Sequence, residues 1–238
     1  MRSTIIRTVA LAALAGVTLV GCGEKPAGSK AEPGFTDKSV AEIEAAAIED
    51  MEAATSLRLK GQVVRAEQTT TLDLALTTEG NCDGTISAGE GTASVRSVDG
   101  ASYLKADEAF WQAMAGAQAQ AIIALIGDKW AKLPNGGGEF ASFCDLDQFL
   151  DELGSDDLTD ATVGETKEID GVEAIEISGD GESGGTLSFW VSTADPHHIL
   201  SIAEVGGTEP AEFTFSDFNE AFDITAPEPD EVVDLGAM

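Results

Sequence analysis

The sequence predicts an α+β protein, with about ten or eleven antiparallel strands in a single curved sheet and helices gathered on one face. Three observations carry this. Apolar and polar residues alternate with period two in about ten short stretches bounded by Gly, Asp and Pro. Those stretches fall into two groups along the chain, and apolar residues at helical spacing precede the first group and fill the gap between the two. Helices segregated in this way pack against one face of an antiparallel meander.

The chain opens with a segment of another kind. Arg2 and Arg7 make a basic start, Val9 to Val20 is an uncharged apolar run, and Leu19-Val20-Gly21-Cys22 closes it. This is the grammar of an export signal. The run is shorter than the roughly 20 residues of a spanning helix and ends in small residues and a cysteine rather than an A-x-A site. It resembles the bacterial lipobox, which implies cleavage before Cys22 and a diacylglyceryl group on the Cys22 thiol; an ordinary signal cleaved nearby would leave that thiol free. Two acyl chains would anchor the protein stably on the outer face of the plasma membrane. No other stretch is expected to enter the bilayer. Residues 1–21 are read as signal peptide and 22–37 as lipidated cysteine and tether, the latter rich in Gly, Pro, Ser and charge without apolar periodicity.

The folded part, 38–226, follows in order. Ser39-Val40-Ala41-Glu42 has the form of a capping box, and Val40, Ile43, Ala47, Met51 and Ala54 recur at helical spacing, so a first helix spans about 39–55. From Leu57 the period changes to two: Leu57, Leu59, Gly61 and Val63 share one face, and Leu72, Leu74 and Leu76 repeat the pattern. Further strands run at 84–88, 92–98 and 101–105, the last two joined at Asp99-Gly100. Asp107 caps a helix carrying Phe110, Trp111 and Met114; a second apolar run, Ile122, Ile123, Leu125 and Ile126, follows it. Trp130 to Leu133 is a short strand ended by Pro134. Asp145 with Gln148 opens a helix bearing Leu146, Phe149, Leu150 and Leu153, which stops at Gly154. A second meander occupies 162–169, 172–178, 185–193, 197–205 and 211–216. The tail, 227–238, is acidic, interrupted by proline and expected to be loose.

Composition narrows the function. Thirteen basic against 43 acidic side chains give a net charge of −30, and removing Arg2 and Arg7 with the signal makes it −32. Nucleic acid, whose binding requires Lys and Arg at phosphates, is excluded as a partner. With Cys22 acylated, Cys82 and Cys144 remain as an even pair in an oxidising compartment, and a disulfide follows; two buried free thiols, or a zinc pair using His197 and His198, are the alternatives. Adjacent histidines on a strand face opposite ways and cannot chelate one metal together. No metal or other cofactor is expected.

Two catalytic or metal patterns fail on context. Ser102-Tyr103-Leu104-Lys105 fits the S-x-x-K nucleophile motif, but there the motif opens a helix; in a strand its two ends point apart, and neither Lys-Thr-Gly nor Ser-Asp-Asn follows. Glu79, Asn81, Asp83, Thr85, Ser87 and Glu90 have EF-hand spacing around Gly84, but the flanks read as strand and Glu79 stands where the shorter Asp is usual. The chain reads as non-enzymatic.

The order of elements is similar to the actinobacterial LppX/LprG/LprA lipoprotein family, itself similar to the LolA and LolB carriers. Local strings agree: Val98-Asp99-Gly100-Ala101-Ser102-Tyr103-Leu104-Lys105 resembles the family's hairpin, Phe110-Trp111 and Asp128-Lys129-Trp130-Ala131-Lys132-Leu133 its following helix and strand, and Leu187-Ser188-Phe189-Trp190-Val191 a late strand before an Asp-Pro turn. The resemblance implies a half-barrel whose concave face, covered by helices, holds the acyl chains of a lipid or lipoglycan cargo, with no catalytic residues and possible contact with a transporter or other envelope protein. The lining it points to is Leu59, Val63, Leu72, Leu74, Leu76, Leu187, Phe189 and Val191 from the sheet, faced by Phe110, Trp111, Met114, Ile122, Ile126 and Phe149 from the helices. The same residues serve equally for a closed core, which would leave a structural, interaction or sensor lipoprotein. A Cys82 to Cys144 bridge would tie the first meander to the helical cover and restrict its opening.

Overall fold

In a computed structural model, which describes residues 31, 32, 34–142, 144–155, 159–181 and 183–237, the alternating stretches form one open sheet of 12 strands. The signal segment and Cys22 lie outside the described residues. A first helix, α1 (Val40–Glu52), begins as the sequence predicts. The Ser39 main-chain N–H and hydroxyl both donate to the Glu42 carboxylate, at 3.0 and 2.7 Å, and these bonds hold the Glu42 pKa below its ordinary value. Its inward stripe is Ile43, Ala47 and Met51, all buried.

Five strands then run as a meander: β1 (Ser56–Arg65), β2 (Gln68–Thr77), β3 (Cys82–Ala88), β4 (Gly91–Val98) and β5 (Ala101–Ala106). Register aligns their apolar positions. Leu59 pairs with Leu74 and Leu57 with Leu76, and the same inward row continues through Gly84, Val95 and Leu104. The alternate row faces outward and is polar; there Arg96 Nε donates to Asp83 Oδ2 at 2.6 Å. Asp83, in the middle of the EF-hand spacing, is therefore engaged by an arginine on a strand. Ser102 and Lys105 likewise sit on opposite faces of β5: Ser102 is buried with its hydroxyl donating to the Gly136 carbonyl, and Lys105 is exposed.

Helices α2 (Glu108–Ala115) and α3 (Ala119–Ile126) follow. Asp107 caps α2 by accepting from Phe110 N at 2.8 Å, and its other oxygen accepts from Thr92 N at 3.0 Å, so one carboxylate fixes the helix to β4. Below it only glycine fits at position 91, where a Cβ would lie 2.3 Å from Phe110 N. A short 3₁₀ turn links α2 to α3, and the resulting helical run, Glu108–Ile126, is long and apolar enough to cross a membrane. This corrects the expectation that no stretch after the signal could span a bilayer, because two short runs read separately in the sequence join end to end. The run nevertheless lies on the domain, with Phe110, Trp111, Ala119 and Ile126 buried in the core.

β6 (Trp130–Lys132) pairs with β5, and the second meander, β7 (Thr159–Ile169), β8 (Val172–Asp180), β9 (Gly185–Ser192), β10 (Ile199–Gly206) and β11 (Ala211–Ser216), closes on β1 through β11. β7 is thus one edge of the sheet, with β6 near the other. The chain between them has to cross the sheet, and it does so over the inner face, with α4 (Glu139–Ser142) and α5 (Leu146–Ser155). Topology makes these two helices a cover. The tail is not loose as expected: β12 (Val232–Asp234) adds in parallel to β6, fastened by Lys132 Nζ to Asp234 Oδ2 at 3.0 Å. Edge pairing satisfies backbone groups that an acidic sequence alone does not reveal. His197 and His198 precede β10 rather than belonging to it.

Candidate lipid-binding site

An apolar cavity of about 240 Å³ lies between the inner face and the cover. Its sheet wall is Leu59, Leu72, Leu74, Leu76 and Phe213; its cover is Ser142, Gln148 and Phe149. The wall exists because register stacks three leucines of β2 beside Leu59, and because Gly61 leaves space for a neighbour's ring. A Cβ at position 61 would lie 2.2 Å from Phe213 Cδ1 and 2.4 Å from the Glu212 carbonyl oxygen. Phe149 enters from α5 and meets Phe215 with ring centroids 5.8 Å apart. Asp145 accepts from Gln148 N at 3.0 Å, capping α5 so that Gln148 and Phe149 fall in its first turn over the leucines.

Five of the residues expected to line a cavity are brought together here: Leu59, Leu72, Leu74, Leu76 and Phe149. Of the others, all but Met114 lie elsewhere on the inner side. Val63 is half-buried further along β1 opposite Ala211; Phe110, Trp111 and Ile126 are buried under α2 and α3; Ile122 is half-buried. Phe189 and Val191 are buried and Leu187 half-buried on β9, among the same core. Met114 is 59% exposed, on the solvent side of α2. The sequence does not single out Phe213 or Ser142, and it marks Gln148 only as the partner of Asp145 at a helix start. The alternation of β11 marks Phe213 as an inward residue, whereas nothing in the sequence marks Ser142 or Gln148 as facing a cavity.

Cys82 and Cys144 are joined in a disulfide with Cα atoms 5.3 Å apart, both buried. Cys82 pairs in register with Leu76 of the wall, and Cys144 stands between α4 and α5. The bond therefore fastens the cover to the wall beside the cavity.

Among the described residues no charged side chain lines the cavity, and the groups with displaced pKa values lie outside it: Glu42, Arg65, Lys132, Asp234 and His198. Asp50, Asp195 and His197 place ligand atoms within 4.8 Å of one another. Asp50 and His197 are engaged within the protein. The His197 main-chain N–H donates to Asp50 at 2.6 Å, its Nδ1 lies 3.0 Å from the Ser192 carbonyl, and its Nε2 lies 3.0 Å from the Glu32 carboxylate. Phe35 stacks on the His197 ring at 3.8 Å and Phe218 on His198 at 3.9 Å. A pocket lined by apolar and uncharged polar side chains can hold a hydrocarbon guest.

No family model matches the chain, and no curated protein does. Among solved structures it is similar to LprF from Mycobacterium bovis, with a TM-score of 0.56 at 15% identity over 84% of this chain and 99% of that one. It is similar also to the lipoprotein LppX of Mycobacterium tuberculosis, with a TM-score of 0.52 at 15% identity over 79% of this chain and all of that one. TM-scores above 0.5 over about four fifths of this chain and nearly the full length of both of those show that this chain has the LppX/LprF fold.

Proposed function

We propose that the protein is an exported lipoprotein, anchored through Cys22 to the outer face of the plasma membrane, that binds or carries lipid in the cavity between the sheet and α4–α5. The observation that carries the reading is the cavity itself: a space walled by four leucines and two phenylalanines, with two uncharged polar residues and no charge among the described residues, is a place for an acyl chain. The fold shared with the lipoprotein LppX and the lipobox-like run ending at Cys22 support the setting. At about 240 Å³ the space is below the roughly 300–1,000 Å³ of ordinary ligand pockets. One chain segment fits at rest, and a whole lipid requires the cover to move away from β2 and β11.

That same modest volume, with the disulfide holding the cover, favours as a second reading an envelope interaction or sensor lipoprotein whose core stays closed. The two separate on purification from the native membrane. Carriage predicts lipid extracted in stoichiometric amount and identified by mass spectrometry; a lipid-free chain with a stoichiometric protein partner would support the closed-core reading instead.

A further inference from the structure

We infer that the exposed side of the α2–α3 run is a membrane-contact surface, and that what it meets is a lipid surface of little net charge; this rests on the anchored-lipoprotein reading above. Residues 109–127 contain no charged side chain, whereas at the chain's 24% charged content a segment of this length would hold about four or five. Met114 is 59% exposed and Leu125 48%, two of the three large apolar side chains that face solvent among the described residues; the third is Val205, at the end of β10. Ala113, Ala117, Ala121 and Ala124 face solvent with them. The opposite side of the run is held in the core that contains Leu59, Leu74 and Leu76, so the surface is presented on a firm base beside the cavity's own core.

Charge selects the occupant. A second copy would bring another body of net charge −32, once Arg2 and Arg7 leave with the signal, against this one, and self-repulsion opposes that contact. Anionic headgroups are opposed for the same reason. A zwitterionic surface meets no such repulsion, and the uncharged run is where approach desolvates no ion. Glu32 and Phe35 are held against the domain at His197, so few residues of sequence separate Cys22 from it and the domain stays close to the bilayer that holds its anchor.

The test is hydrogen exchange by mass spectrometry on the full acylated chain, free and in phosphatidylcholine vesicles. Vesicles are expected to slow exchange within 110–126 by about tenfold or more, with the end of β10 around Val205 unchanged. The double variant Met114→Glu with Leu125→Glu should stay in the vesicles through its anchor but lose that protection, and Val205→Glu should keep it; both change exposed positions, and unaltered melting checks that they fold. Adding phosphatidylglycerol should weaken the protection. Exchange of 110–126 unaltered in an anchored chain overturns the inference and leaves the lipoprotein reading standing. A chain that does not associate with vesicles overturns both. Protection of the same segment without vesicles, at a dimer's mass, overturns it in favour of self-association.

Discussion

Gly61 occupies an inward position on β1 where the period-two pattern calls for a bulky apolar side chain, and the fold needs it empty. Phe213 fills that space and becomes part of the cavity wall. Gly61→Val should therefore cost stability, by about 1–3 kcal/mol, since its Cβ meets backbone as well as a ring; denaturant titration checks this. His198 carries a different kind of information. Burial lowers its pKa below 6.5, opposed by Asp50 and Asp195 and reinforced by His197. The folded state thus takes up its proton later than the unfolded state on acidification, so stability is full above pH 6.5 and falls as pH drops from 6.5 toward the lowered folded value. His198→Phe, which keeps a ring against Phe218, should flatten that part of the stability profile; an unchanged slope between pH 7.5 and 5.5 in thermal melts would refute the assignment.

Helix starts were the elements most legible in the sequence, because capping is local chemistry: Ser39 with Glu42, Asp107, and Asp145 ahead of Gln148 all act where they were read. Asp107→Ala removes bonds to both Phe110 and Thr92 and should cost on the order of 1–2 kcal/mol in a melting experiment. What local pattern could not supply was joining over distance. Two short apolar runs become one helical length, and an acidic tail gains a strand because β6 offers it an edge. The Cys82–Cys144 bridge, expected from counting thiols alone, closes a sequence separation of 62 between the sheet and its cover. Replacing both cysteines with alanine should lower stability by about 4 kcal/mol by chain entropy. It should also speed exchange of a fluorescent fatty acid by freeing α4 and α5 from β3; identical exchange rates with and without the bond would show that the cover does not gate the space.

The molecule's plan follows from one topological fact: β6 and β7 lie toward opposite edges of the same sheet, so the chain between them must cross it, and it does so over the inner face. The sheet itself was legible as two meanders because alternation reports which face is buried. Their joining at β1 and β11 was not, since partner choice across 150 residues leaves no mark on either strand's own pattern. The cavity was half legible for the same reason: leucines of β1 and β2 read as inward from their own alternation, while the seam that contributes Phe213 and the polar rim at Ser142 and Gln148 required the crossing to be seen. The most direct test is photo-crosslinking with a diazirine-bearing fatty acid followed by peptide mapping. Label is expected on the peptides holding Leu72–Leu76, Phe149 and Phe213, and Leu74→Trp, which fills the space, should abolish it. Label confined to exposed surface, or undiminished in that variant, would contradict a lipid site between sheet and cover.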